Sequence, residues 1–231
     1  VIDRRIRRVL APPLDRAGAS LARAGISPVV LTATGWAFGV LGCVAVSQRW
    51  WSLALVGWLV NRALDGLDGP VARARGATEL GGYLDIVADF SVYGGFVLAL
   101  AVAEPRARLA CVVLLVAYYV SGTAFLALSS LMERRRMAGL DERSLRFVGG
   151  LAEGAETIVV YALVCLFPAE AVGIAWGFAA AVGVTAGQRV VSGVRILAPH
   201  AGAVPPRCTG VASAGPPAHS HQVAAGPVDR T

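Results

Sequence analysis

The chain has 231 residues, of which 56% are apolar and 16% charged, and its formal net charge of +6 is carried without a single lysine. That balance excludes an ordinary soluble globule. It also excludes a nucleic-acid partner, because no aromatic-basic recognition motif interleaves the arginines, and anionic lipid fits the positive excess better.

Residues 1–26 come first as a juxtamembrane segment. Ile2, Ile6, Val9 and Leu10 share one helical face and Arg4, Arg5, Arg7 and Arg8 surround the other, which predicts an amphipathic interfacial helix ending at Pro12 and Pro13. These arginines precede no short apolar core with a cleavage site, so no removable signal peptide is expected. A short stretch, Leu14 to Ala24, leads to Ser27-Pro28, where serine can cap a helix and proline can occupy its first position.

Apolar runs then predict six spans at 29–47, 51–67, 81–103, 109–131, 151–168 and 170–189, each near the roughly 20 residues that cross a bilayer. Gln48-Arg49, Glu104-Pro105 and Pro168 with Glu170 mark the tight first, third and fifth connections of an antiparallel bundle. Arg49, Arg106 and Arg108 fall on one side and the other arginines on the opposite side, which predicts an inner-membrane protein with both termini cytoplasmic. The fold class expected is therefore an all-α integral membrane protein, with a six-helix transmembrane domain over 27–197. Residues 198–231 turn to Ala, Gly, Pro, Ser and His without periodicity and are expected to form a disordered cytoplasmic tail. Cys43, Cys111 and Cys165 lie in apolar runs and Cys208 in the tail, with no paired ligand spacing, so they read as small hydrophobes. His219 and His221, a pair in that tail, are assigned no metal.

Four carboxylates break the apolar pattern. Asp65 and Asp68 are three apart and Asp85 and Asp89 four apart, so on helices each pair projects from one face. Each ionised acid near the bilayer centre costs about 2.5–3.5 kcal/mol, so something must neutralise the set. Pairing with Arg62, Arg73 and Arg75 near the surface is one reading. The other is a pair of hard divalent cations, Mg²⁺ or Mn²⁺, which take carboxylate oxygens and suit in-line displacement at phosphorus. Gly66, Gly69, Gly76, Gly81 and Gly82 flank the acids and leave room for a ligand or for close helix packing.

Asp65-Gly66-Leu67-Asp68-Gly69-Pro70-Val71-Ala72-Arg73, then Gly81 through Asp85 to Asp89, resembles the signature of the CDP-alcohol phosphatidyltransferase family, D-x-x-D-G-x-x-A-R followed by G-x-x-x-D-x-x-x-D. All eight defining residues are present. Two features depart from it. The connector Ala74 to Leu80 has seven residues where the family usually has eight, and Phe90 stands where many members acting on glycerol phosphate or making cardiolipin place Lys or Arg. The resemblance implies that Asp65, Asp68 and Asp85 hold two metal ions with Asp89 contributing, and that Asp89 is the base. It also implies that Gly69, Ala72, Arg73 and Gly81 cradle the CDP donor. Implied partners are CDP-diacylglycerol or a related CDP-lipid, an alcohol acceptor, membrane lipids, and a second copy of the chain, since relatives commonly dimerise through membrane helices.

Acceptor contacts are expected from the fourth connection and the fifth span, through Arg134, Arg143, Glu153 and Glu156, the two glutamates sharing a helix face. The acceptor alcohol itself stays open among glycerol phosphate, inositol phosphate, serine and a phosphatidyl lipid. Competing readings are an intramembrane prenyltransferase, suggested by Asn61-x-x-x-Asp65, a divalent-cation transporter using the same acids, and a scaffold that has lost catalysis. Six spans are too few for the first, the second leaves Gly69 and Ala72-Arg73 unexplained, and the complete motif opposes the third.

Overall fold

A computed structural model of the chain describes residues 2–137 and 154–198, with side chains over 11–134 and 155–198. Every regular element among them is helical: α1 (Ile2–Arg23), α2 (Pro28–Ser47), α3 (Trp51–Arg75), α4 (Glu79–Ala103), α5 (Arg108–Met137), α6 (Gly154–Leu166) and α7 (Ala171–Leu197). Single 3-10 turns at Pro105–Ala107 and Pro168–Glu170 make the tight connections. Arg143, Glu153, Cys208, His219, His221 and the tail expected at 198–231 lie, apart from Ala198, outside the described residues.

Four of these helices, α2, α4, α5 and α7, are long and apolar enough to cross a membrane, and the chain is a multi-pass membrane protein. Helix α3 has the length but carries Arg62, Asp65, Asp68, Arg73 and Arg75, and α6 contributes 13 described residues. Leu41, Leu98, Val116 and Val194 are each more than half exposed, an outer surface that water would penalise and hydrocarbon accepts.

Two boundaries differ from the expectation. Helix α1 runs unbroken through Pro12 and Pro13 instead of ending there. Proline's fixed φ is itself helical, so the pair removes two hydrogen bonds without forbidding the conformation. The helix also rests on α3, where Gly18 lies against Pro70 so closely that a β-carbon would collide with it. Likewise α3 passes the expected end at residue 67 and continues through Pro70 to Arg75, so the whole first half of the acidic motif is helical. A proline ring normally clashes with the β-carbon of the residue before it, and here that residue is Gly69, which has none.

Glycine also sets the separation of α2 from α3. Gly35, Gly39 and Gly42 are buried along one face of α2. A β-carbon on Gly57 would sit 3.0 Å from both the Gly42 Cα and the Phe38 carbonyl oxygen, so the two backbones touch. At the opposite end of the bundle Arg49, held at φ 60°, donates its guanidinium to the Ala103 carbonyl, Nε at 2.8 Å, tying the first turn to the end of α4. Below the acids the core is aromatic, with Trp58, Phe96 and Tyr161 fully buried and the Trp58 and Tyr161 rings 4.9 Å apart.

Gly57→Val is expected to force α2 from α3 at a cost of about 1–3 kcal/mol, read as a lower thermal midpoint in detergent. Gly177→Ala, where a β-carbon meets nothing within 4 Å, is expected to leave the midpoint undiminished.

Candidate active site

The site forms where α3 and α4 face each other. On α3 the residues three or four apart, Arg62, Asp65 and Asp68, share one stripe, and on α4 Asp85, Asp89 and Tyr93 share another. Oxygen atoms of Asp65, Asp68 and Asp85 lie within 4.8 Å of one another. Asp68 is buried and takes a hydrogen bond from the Thr32 hydroxyl on α2 at 2.7 Å. Asp85 turns one oxygen, Oδ1, into the protein with no hydrogen-bond partner.

Asp89 is held differently. The buried guanidinium of Arg62 donates to its Oδ1 at 2.7 Å and to Asp65 Oδ2 at 3.2 Å. Two further bonds seat Arg62, Nη1 to the Tyr93 hydroxyl at 2.8 Å and Nε to Asn61 Oδ1 at 2.8 Å, while Asn61 in turn donates to the Gly35 carbonyl at 2.8 Å. The guanidinium carbon lies 4.9 Å from the Trp58 ring centroid and 5.0 Å from that of Tyr93, so cation-π attraction adds to the ion pairs. Helix α6 braces this floor, taking a hydrogen bond from Trp58 at the Ile158 carbonyl and giving one from Tyr161 to the Tyr93 carbonyl.

The pairing of acids with Arg62 is thus real, but it is buried and belongs to the site rather than to the surface. Arg73 and Arg75 do not pair with the four acids. Arg73 makes an exposed ion pair with Asp15 of α1 at 2.7 Å, and Arg75 donates to the Ile26 carbonyl. Asn61 links Arg62 to the Gly35 carbonyl of α2.

One guanidinium against four carboxylates leaves the cluster short of positive charge. Three hard oxygen donors from two helices, one with a buried orphan atom, fit a divalent cation. Metal–oxygen distances of about 2.1 Å would place opposed ligands about 4.2 Å apart, within a small closure of the spacing present. Beside these acids a cavity of about 260 Å³ is lined by Asp68, Gly69, Ala72, Gly81 and Asp85, with Ser27 and Thr78 at its rim. Both rim residues are helix N-caps, Ser27 for α2 and Thr78 for α4, the latter accepting from the Gly81 amide at 3.1 Å. Two positive helix ends therefore converge on one hollow, an arrangement that attracts phosphate. Gly66 and Gly82 would each meet nothing with an added β-carbon, so packing does not require their smallness.

Of the residues expected at the acceptor, Arg134 is exposed near the end of α5 and Glu156 is half-buried in the first turn of α6, while Arg143 and Glu153 lie outside the described residues. A second cavity, about 370 Å³, lies between α4, α5, α6 and α7, where Phe90, Tyr93, Tyr118, Ser121, Thr157 and Arg189 form part of its wall. Arg189 donates to the Ser121 hydroxyl there at 2.9 Å. Thr32, Thr78 and the central role of Arg62 were not found from sequence. Thr78 three residues before Gly81 is a capping signal that could have been read, whereas Thr32 has no pattern around it.

The family model for CDP-alcohol phosphatidyltransferase matches residues 25–187. The inner membrane protein YnjF of Escherichia coli is 40% identical over 203 residues, covering 85% of this chain and 97% of that one. The archaetidylinositol phosphate synthase of Pyrococcus horikoshii is 30% identical over 175 residues, covering 74% and 85%. Crystal structures of the Mycobacterium tuberculosis phosphatidylinositol phosphate synthase, one with CDP-DAG bound and one in complex with manganese and citrate, share the fold. Each has a TM-score of 0.60 at 23% identity, over 78% of this chain and 93% and 88% of theirs respectively.

Replacing Arg62 by Met should strand two carboxylates and cost about 3–5 kcal/mol in chelator, seen as a fall in the thermal midpoint. Added Mg²⁺ should restore the variant more than it stabilises the parent. Equal midpoints for the two proteins in chelator would contradict the clamp.

Proposed function

We propose that this chain, which belongs to the CDP-alcohol phosphatidyltransferase family, transfers a phosphatidyl group from CDP-diacylglycerol or a related CDP-lipid to an alcohol, with release of CMP. The observation that carries the reading is the convergence of Asp65, Asp68 and Asp85 beside a cavity rimmed by two helix N-termini. That combination suits a diphosphate that arrives with divalent cations.

Asp65, Asp68 and Asp85 would hold two ions, Mg²⁺ or Mn²⁺, with Asp89 contributing to one; when bound, they would neutralise charge on the phosphate oxygens. The manganese complex of the Mycobacterium tuberculosis synthase and its CDP-DAG complex support metal and donor alike. Gly69, Ala72 and Gly81 admit the donor's nucleotide to the cavity wall without side-chain obstruction. Arg73 is assigned to the donor's phosphates. Its ion pair with Asp15 is solvent-exposed on both sides, a kind worth under about 1 kcal/mol, so exchanging it for a phosphate costs little.

Asp89 receives the acceptor's proton. Arg62 engages its Oδ1 and fixes the carboxylate, while Oδ2 is the atom assigned to the hydroxyl. As that proton moves to Asp89, the acceptor oxygen bonds to the donor's β-phosphorus, the bond from that phosphorus to the bridging oxygen breaks, and CMP leaves with the electron pair. The base contributes about 10²–10⁴-fold. The acceptor is assigned to the side of Asp89 where Phe90 and Tyr93 border the 370 Å³ cavity, and Glu153, Glu156, Arg134 and Arg143 are the residues proposed to read it.

In the membrane we assign six spans to α2 through α7, with α3 and α6 completing the four that stand on hydropathy alone. Helix α1 is assigned to the cytoplasmic interface, both termini to the cytoplasm, and 198–231 to a tail outside the 27–197 catalytic domain.

Purified protein given CDP-diacylglycerol, Mg²⁺ or Mn²⁺ and a panel of acceptors should release CMP and form a lipid product, and chelation should abolish both. Asp89→Asn should lower kcat by about 10²–10⁴-fold while sparing donor binding. Glu156→Gln should raise the acceptor KM alone. Undiminished turnover after chelation would overturn the reading.

A further inference from the structure

Three tyrosines meet beside the acids, Tyr93 of α4, Tyr118 of α5 and Tyr161 of α6, and two of them spend their hydroxyl protons inside the protein. Tyr161 donates to the Tyr93 carbonyl at 2.9 Å, so Tyr118, whose hydroxyl lies 3.1 Å from that of Tyr161, is the donor of that second pair. Tyr93 differs. Its hydroxyl accepts from Arg62 Nη1 at 2.8 Å, and because a guanidinium only donates, the phenol keeps its own proton to give. Among the described residues no group accepts it. Tyr93 is half-buried on the wall of the 370 Å³ cavity, and an O–H left unpaired in a low-dielectric interior is unfavourable, so a partner inside that cavity is favoured.

The position of this donor is specific. Asp89 and Tyr93 are four residues apart on α4 and so share one face. Both are held by the same guanidinium, Asp89 through Nη2 and Tyr93 through Nη1. A bond from a cation also draws density from the phenol oxygen and makes its O–H a stronger donor. Phe90, the neighbour of Asp89 on the cavity wall, rests its ring against Gly122 of α5 so closely that a β-carbon there would lie 2.5 Å from Cε1. That ring offers C–H surface and no hydrogen bond.

We infer that Tyr93 donates to a second oxygen of the acceptor, on the carbon next to the attacking hydroxyl, so that the acceptor class is a vicinal diol or polyol. This rests on the transferase reading and deepens it, since that reading leaves the acceptor open. Amino alcohols such as serine are excluded, because an ammonium on that carbon would set a donor against a donor and bring a cation toward Arg62. Tyr93 keeps its proton throughout, and Asp89 takes the one released by the attacking hydroxyl.

The test uses full-length protein in nanodiscs with CDP-diacylglycerol, Mn²⁺ and acceptor pairs that differ only in the neighbouring hydroxyl. The pairs are glycerol phosphate, inositol phosphate and phosphatidylglycerol, each against its deoxy analogue, with serine alongside. For the pair that turns over, loss of that hydroxyl should lower kcat/KM by about 10–100-fold in the parent protein. In Tyr93→Phe, which keeps the ring beside Arg62, the diol should fall to the level of its deoxy analogue while the donor KM is unchanged. A parent protein indifferent to the neighbouring hydroxyl, an equal deoxy penalty in Tyr93→Phe, or faster turnover of serine than of every diol overturns the inference and leaves the transferase intact. Absence of CMP release with every acceptor overturns the transferase reading, and the inference with it.

Discussion

Four carboxylates inside a helical bundle repel one another, and a single guanidinium cannot balance them. Arg62 settles part of the conflict by bridging Asp65 and Asp89, and it does so from a buried seat between the Trp58 and Tyr93 rings. What it leaves over is a tight group, Asp65, Asp68 and Asp85, with one oxygen of Asp85 turned inward and unsatisfied. Each uncompensated charge in such a medium costs several kcal/mol, so the remaining deficit favours a cation among these three carboxylates.

The surrounding fold can be understood as the means of holding that deficit in place. Backbone contact between Gly57 and Gly42 brings α2 close enough for Thr32 to reach Asp68 and for Gly35 to accept from Asn61, which orients Arg62. Helix α6 fixes the aromatic floor from the far side through Trp58 and Tyr161. The same closeness delivers the N-terminus of α2 to the hollow that the N-terminus of α4 also borders. Packing by small residues, burial of one arginine and attraction for phosphate thus share a single set of helices.

Much of this was legible in the residues. Long apolar runs located the four helices long and apolar enough to cross a membrane, α2, α4, α5 and α7, because hydropathy averages over twenty residues and tolerates local irregularity. The periodicity of Asp65 with Asp68 and Asp85 with Asp89 placed each pair on one helix face, and the motif around them pointed to the family. Proline misled at Pro12-Pro13, which read as a helix end, yet α1 runs through them and rests on α3. The span expected to end at residue 67 also continues through Pro70 as α3, where Gly69 has no β-carbon to clash. Arg62 could be read only as a surface partner, because its seat is built from rings on two helices distant in the chain. Thr32 is a lone hydroxyl in an apolar span, and nothing local marks it.

Crystals of the protein soaked in Mn²⁺ and measured at the manganese absorption edge address the central claim directly. An anomalous peak bounded by Asp65, Asp68 and Asp85, absent in Asp68→Ala, is the predicted result. Manganese bound elsewhere in the protein, with those three carboxylates unliganded, would contradict it.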